Sequence, residues 1–213
     1  VVLNYARVED SLKLESREFT FFQQDLKIQQ KWQEGGKGGS SIGFGCSVYD
    51  CSFVLAKYME EHPDEIRGKH CVELGCGPGL TGIACSLAQP ASLVATDGDD
   101  ISVELTRENI KRNLALASEA CMCTAERLLW GDAADLQKFP QHSYDVVLAA
   151  DVVALPYEGA YKALLDTMQH LLAPHGSLWL CYQQRHVSEK GGFFTVFHQE
   201  FHVQRIEQQE LHK

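Results

Sequence analysis

A chain of 213 residues with 45% hydrophobic and 23% charged residues has the length and make-up of one globular domain with a sizeable core. Its formal charge of −10, with Lys and Arg scattered along the chain, argues against a nucleic-acid-binding face, which needs a basic patch to displace counterions. No apolar run approaches the length of a bilayer span, and Val1-Val2-Leu3-Asn4 lacks the basic-then-apolar layout of a secretory signal, so neither a membrane partner nor a signal is expected.

In chain order, apolar and polar residues first alternate between Arg17 and Trp32, with Phe19 and Phe21 on one arm and Leu26 and Ile28 on the other. Gln24-Asp25 lies between the arms, and the pattern predicts a β-hairpin appendage. Gly35 to Gly45 holds six glycines and two serines and predicts a flexible loop. Residues 1–45 are therefore expected to form an appendage, and 46–213 the main domain. A helix carrying Phe53, Val54 and Tyr58 is expected after Asp50, which can cap it.

From Lys69 onward the elements alternate. Cys71–Leu74 predicts a strand, Gly75–Gly79 a turn, Thr81–Leu87 an apolar helix, Ser92–Thr96 a strand and Ile101–Leu116 a longer helix. Further strands are expected at Arg127–Leu129, Tyr144–Ala149 and Ser177–Cys181, with a helix from Tyr161 to Leu172 between the last two. Phe201–Ile206 reads as a late strand. This alternation implies an α/β fold with a doubly wound, mostly parallel sheet. Cys71, Cys85 and Cys181 interrupt core-like runs, as small buried residues do in a reducing compartment. Cys121-x-Cys123, the only close pair among eight cysteines, has no Cys/His partners at zinc spacing, so no metal site is expected.

Glu73-Leu74-Gly75-Cys76-Gly77-Pro78-Gly79 joins a strand to a helix, where glycines permit a sharp turn and close backbone approach to a ligand. A dinucleotide loop, G-x-G-x-x-G, would need glycine at position 80, which is Leu80. The acidic Glu73 suits a ligand that is cationic at that end, such as a sulfonium with a free amino group, better than a pyrophosphate. Asp97, 22 residues beyond Gly75, ends the next strand, where a carboxylate can accept both ribose hydroxyls. Alternatively Asp97 caps the helix near Ile101. Trp130 is placed to face an adenine, or else belongs to the core.

With these residues the chain resembles the seven-strand S-adenosylmethionine methyltransferases, and within them the family 16 protein lysine methyltransferases, a group that includes enzymes acting on valosin-containing protein and translation elongation factors. The likeness is carried by Val48–Ala56, Val72–Ile83 and Ala149-Ala150-Asp151-Val152-Val153, with Leu129-Trp130-Gly131 as an adenine-side segment. It implies a Rossmann-like sheet, S-adenosylmethionine as cofactor and a protein lysine as acceptor. It implies Tyr49, Glu73, Gly75, Cys76, Gly77, Gly79, Asp97, Trp130 and Ala150 around the cofactor, and Asp151 at the transfer site, where Tyr157 is expected to supply the family's tyrosine ring if its loop folds back. A monomer is expected, in the cytoplasm and secondarily in the nucleus. Two positions depart from the pattern: Tyr49 stands where the family has Trp, and Ala154 replaces the tyrosine of its Asp-x-x-Tyr signature, with Tyr157 three residues further on. Three alternatives therefore stay open: methylation of another protein side chain such as histidine, methylation of a small molecule, or a non-catalytic cofactor-binding adaptor. Asp151 has its own alternative, as a cap on the helix entered near Tyr157.

Overall fold

The computed structural model describes residues 11–32, 45–114, 122–153, 159–184 and 189–206. The hairpin forms as expected from β1 (Ser16–Phe21) and β2 (Gln24–Gln29), paired antiparallel. Its turn is two residues earlier than the polar Gln24-Asp25 suggests. Phe22 and Gln23 make it, at φ of 50° and 61°, the positive values that a two-residue hairpin turn demands. The turn forms without glycine, and the Phe22 amide donates to Glu60 Oε1 while Thr20 Oγ1 donates to Asp25 Oδ1 at 2.7 Å across the strands. Alternation buries Phe19, Phe21, Leu26 and Ile28 on one face, each stabilising the hairpin's docking by roughly 1.5–3 kcal/mol.

Helix α1 (Asp50–Glu61) begins at Asp50 rather than after it: Tyr49 is the N-cap residue, with no side-chain cap bond among the described residues. Asp50 acts instead from the first turn, where its charge suits the positive end of the helix dipole. The main sheet follows, as β3 (His70–Leu74), α2 (Leu80–Leu87), β4 (Ser92–Asp97), α3 (Asp100–Leu114), β5 (Met122–Arg127), a short α4 (Ala133–Leu136), β6 (Tyr144–Ala150), α5 (Tyr161–Leu171), β7 (Leu172–Cys181) and α6 (Glu189–Glu200). Its order is β5-β4-β3-β6-β7, and every pairing is parallel.

Successive residues of each strand serve opposite faces. Cys71, Leu93, Val146 and Leu148 pack with the hairpin, α1 and α2, while Val72, Leu74, Val147 and Ala149 pack with α5 and α6. The sheet is thus covered on both sides, the doubly wound arrangement anticipated from the alternating elements.

Two expected elements differ. The strand placed at Arg127–Leu129 is Met122–Arg127; Leu128 still donates its amide to Asp97 O at 2.9 Å, and Leu129 has left the sheet for Asp135. Phe201–Ile206 is not a strand, and the sheet has five strands among the described residues. Phe201 instead continues the aromatic row of α6, its ring 4.9 Å from Phe197 and its amide bonded to Phe197 O at 3.0 Å.

Candidate active site

The chain leaves β3 towards β4 and β5 on one side, and β6 and β7 lie on the other, so β3 and β6 flank the point where the strand order reverses. Ligands of open α/β sheets bind beyond the carboxyl ends of the strands at such a point. Two segments meet there: the Gly75–Gly79 loop after β3 and Asp151-Val152 after β6.

Gly75, Gly77 and Gly79 have φ of 67°, 52° and 85°, conformations that cost a side-chain-bearing residue about 1–2 kcal/mol. Each glycine is also crowded by the protein itself. A Cβ on Gly75 would lie 2.8 Å from Val152 Cγ1, one on Gly77 2.8 Å from Gly45 O, and one on Gly79 2.7 Å from Thr106 Cγ2. The loop is anchored to β4 by Cys76 N to Thr96 O at 2.8 Å and by Gly77 N to Asp97 Oδ2 at 3.0 Å.

Asp97 is buried, and its other oxygen accepts the Asp99 amide at 3.0 Å. Capping of α3 falls to Asp99, whose Oδ2 accepts from Ser102 N at 3.2 Å and from Ser102 Oγ at 3.4 Å. Asp97 is thereby freed from the alternative role of helix cap. A carboxylate has about four acceptor sites, so beyond these backbone amides Asp97 keeps a lone pair for a ligand's hydroxyl. Burial pushes its carboxyl up to about 6, against the pull of the Asp99 and Gly77 amides.

Glu73 lies deeper, beneath the first turn of α2, where Gly82 has no side chain and a Cβ would meet Glu73 Oε2 at 2.7 Å. Burial pushes this carboxyl up to about 8, opposed by the adjacent Thr81 hydroxyl and Gly82 amide and reinforced by the charge of Asp97. Neither Glu73 Oε2 nor Thr81 Oγ1 has a well-formed hydrogen bond among the described residues. Cys76 is also buried, and its thiol is pushed well up by burial and by Asp97 and Glu73.

Trp130 is half-buried, with Cζ2 3.5 Å from where a Gly75 Cβ would stand. Its neighbours on either side are pinned: Leu129 N donates to Asp135 Oδ2 at 3.0 Å, and Gly131 N to Thr167 Oγ1 at 3.0 Å. Burial works to raise the Asp135 carboxyl, but Lys138, the Leu129 amide and Arg127 together hold it below its ordinary value.

From the other side, Gly45 reaches the loop, with its carbonyl oxygen 2.8 Å from where a Gly77 Cβ would stand. Gly45 O accepts from Ser102 Oγ at 3.3 Å, and Cys46 O accepts from Lys31 N at 3.0 Å. Half-buried Tyr49 ends this segment. Ala150 closes β6, buried and opposite Cys181. Asp151 follows at φ 61°, with its amide donating to Cys181 O at 2.8 Å. Tyr157, Ala154 and the Gly35–Gly45 loop apart from Gly45 lie outside the described residues.

The structure thus gathers Glu73, the glycine loop, Asp97, Trp130 and the Asp151 turn at one edge, while Tyr49, four residues along the chain from Gly45, is the N-cap residue of α1. Residues not assigned to the site from the sequence also build it: Gly45 and Val152, and on the α3 side Asp99, Ser102 and Thr106.

A doubly wound parallel sheet with a glycine loop at its switch point and an acidic residue ending the adjacent strand defines a Rossmann-like nucleotide-cofactor enzyme. In agreement, a putative S-adenosyl-L-methionine-dependent methyltransferase from Methanococcus maripaludis shares the fold, with a TM-score of 0.50 at 14% identity over 70% of this chain and 65% of that one. The lysine methyltransferase family model matches residues 21–200, and the chain belongs to that family. EEF1A lysine methyltransferase 3 of Mus musculus is 33% identical over 197 residues, covering 92% of this chain and 78% of the relative. Protein N-lysine methyltransferase METTL21A of Danio rerio is 31% identical over 191 residues, covering 90% and 81%. The protein is an S-adenosylmethionine-dependent methyltransferase acting on protein lysine.

The residues present fit this cofactor. Glu73 and Asp97 suit a ligand bearing a sulfonium and an ammonium, and Glu73 Oε2 and Thr81 Oγ1 are buried polar atoms with no well-formed hydrogen bond among the described residues. Asp97, at the end of β4, has spare acceptor capacity for ribose hydroxyls.

Proposed function

We propose that the protein methylates a lysine presented by a protein partner to Asp151, with elongation factor 1A the first target to test. The observation that carries the reading is the turn after β6, where Asp151 has φ 61° and the next residue, Val152, packs against the site of the missing Gly75 side chain. A strained backbone at a ligand-binding edge is where functional side chains tend to be held. The choice of target rests on the relative named for that factor.

When bound, S-adenosylmethionine supplies an electrophilic methyl group on a cationic sulfur. A lysine amine, with a pKa near ~10.4, is neutral in only about one molecule in several thousand at pH 7. Reaching the neutral form costs roughly 4–5 kcal/mol, so desolvation of the amine must assist. A carboxylate favours the ammonium form, which makes Asp151 first a group that orients the incoming nitrogen and second a proton acceptor. The formal charge of −10 suits a basic segment around the target lysine. The same reading has the protein acting as a monomer, on protein rather than nucleic acid or membrane, in the cytoplasm and nucleus. The cysteines among the described residues are free thiols, which a reducing compartment maintains.

The test is incubation with methyl-labelled cofactor and purified elongation factor 1A, alongside a cell lysate, followed by hydrolysis and identification of the labelled amino acid. Methyl-lysine is expected. Asp151→Asn keeps the shape and removes the charge, and it is expected to lower turnover by a factor of ~10² or more with cofactor affinity unchanged. Label in histidine, or a normal rate in the variant, would refute the assignment.

A further inference from the structure

Ser102, Thr106, Asn109 and Asn113 fall at successive turns of α3 and form one polar stripe along it. Such a stripe ordinarily faces water. Here Ser102, Thr106 and Asn109 are buried. Each grips backbone from another part of the chain. Ser102 holds Gly45 O, and Thr106 Oγ1 donates to Gly77 O at 2.6 Å.

Asn109 does more. Its Nδ2 donates to Pro78 O at 2.9 Å and to Gln29 O at 3.0 Å, and its Oδ1 accepts the Gln29 amide at 2.9 Å. One side-chain amide therefore bonds the outer edge of the hairpin and the glycine loop together. Asn113 repeats the grip two residues back along β2, accepting Lys27 N at 2.7 Å and donating to Lys27 O at 3.0 Å. Its further bond goes to Asn109 O at 2.8 Å rather than to the loop.

We propose that Asn109 is a positioning residue for the cofactor, fixing the glycine loop by tying Pro78 to the docked hairpin. A peptide unit is planar and trans, so holding Pro78 O sets the opposite direction for Gly79 N–H. That amide closes the turn on Cys76 O at 2.8 Å, next to the Gly77 amide that Asp97 holds. Thr106 and Asn109 thus orient two consecutive carbonyls of the loop, and the hairpin becomes part of the cofactor site without reaching it. The proposal rests on cofactor binding by the family and is independent of any role for Asp151.

Calorimetric titration of S-adenosylmethionine into wild type, Asn109→Ala and Asn113→Ala tests it, with hydrogen exchange of the ligand-free proteins read at the Gly77 and Gly79 amides. Asn109→Ala is expected to raise the Kd about tenfold and to speed exchange at both amides. Asn113→Ala loosens the same hairpin edge and is expected to leave the Kd within about twofold and the loop amides slow. If Asn109→Ala does not fold, Gln29→Pro serves, since the Gln29 amide is directed at Asn109 and an edge proline is tolerated. Lys27→Pro is its control. An unchanged Kd on the Asn109 side of the pair, or equal weakening on both sides, would overturn the proposal.

Discussion

Replacing Glu73 by Gln should remove a loss of stability that the ligand-free protein suffers as pH rises from about 6 to about 8. Glu73 is 1% exposed, and burial raises its carboxyl to about 8. A carboxyl raised in the folded state stays protonated there while the unfolded chain releases its proton. Its contribution is therefore fully present at acid pH and is lost as pH rises towards 8. Asp97, raised to about 6, follows the same rule, but its loss is largely complete by pH 6. Between pH 6 and pH 8 Glu73 dominates the pair, at about 1.4 kcal/mol per pH unit, so wild type should lose roughly 2–3 kcal/mol relative to Glu73→Gln. In a chain of this size each kcal/mol moves Tm by about 2–4 °C. Thermal unfolding of both proteins across that range, without cofactor, reads the difference directly, and the histidines cancel because both proteins carry them. Parallel Tm curves would show that Glu73 is already ionised and that the burial argument fails.

Asp97→Ala should weaken S-adenosylmethionine binding by roughly 1.5–3 kcal/mol, the scale of a lost charged hydrogen bond, as read by calorimetry. An unchanged affinity would leave Asp97 with only its bonds to Gly77 and Asp99. Gly79→Ala combines a positive φ with a Cβ 2.7 Å from Thr106 Cγ2, and should cost about 2–5 kcal/mol in urea unfolding. Gly68→Ala has a similar φ of 70° but open space around it, and should cost only about 1–2 kcal/mol. Equal losses in the two glycine variants would remove the packing part of the argument.

What was legible in the sequence follows the burial of each element. Strands β3, β4 and β6 are covered on both faces and read as apolar runs. Strand β5 sits at the sheet edge with Thr124 and Glu126 exposed, so its first residues resemble a loop, and the apolar Leu128-Leu129 beyond its end drew the expected strand forward. Helix α6 was hidden by Gly191-Gly192, poor helix formers; what packs it is the cluster of Phe193, Phe197 and Tyr161, whose last member is distant in sequence. In the site, the glycine loop and the acidic residues around it announced themselves by spacing. Asp99, Ser102, Thr106 and Asn109 did not. A polar helix stripe is indistinguishable from a solvated face until the backbone it holds, up to 80 residues away for Gln29, has been placed.

The same carboxyl groups that make the site fit its cofactor make the empty protein less stable. Burial makes both Glu73 and Asp97 hard to ionise, and the charge of Asp97 adds to the difficulty for Glu73 as that of Asp99 does for Asp97. The salt bridges found elsewhere, such as Arg127 and Lys138 on Asp135, show that the fold can neutralise a buried carboxylate where it needs to. Under the glycine loop, among the described residues, no cation pairs with Glu73, and neither its Oε2 nor the nearby Thr81 hydroxyl has a well-formed hydrogen bond. A lysine or arginine there would stabilise the apo fold, and it would also occupy the place and cancel the field that a cationic ligand requires. Local instability concentrated at one point of an otherwise well-packed sheet is what a binding site costs. Here its position, under the loop that Asn109 and Thr106 hold in shape, separates two tasks: the α3 stripe sets the geometry of the cradle, and the acidic pair sets the sign of the charge it prefers.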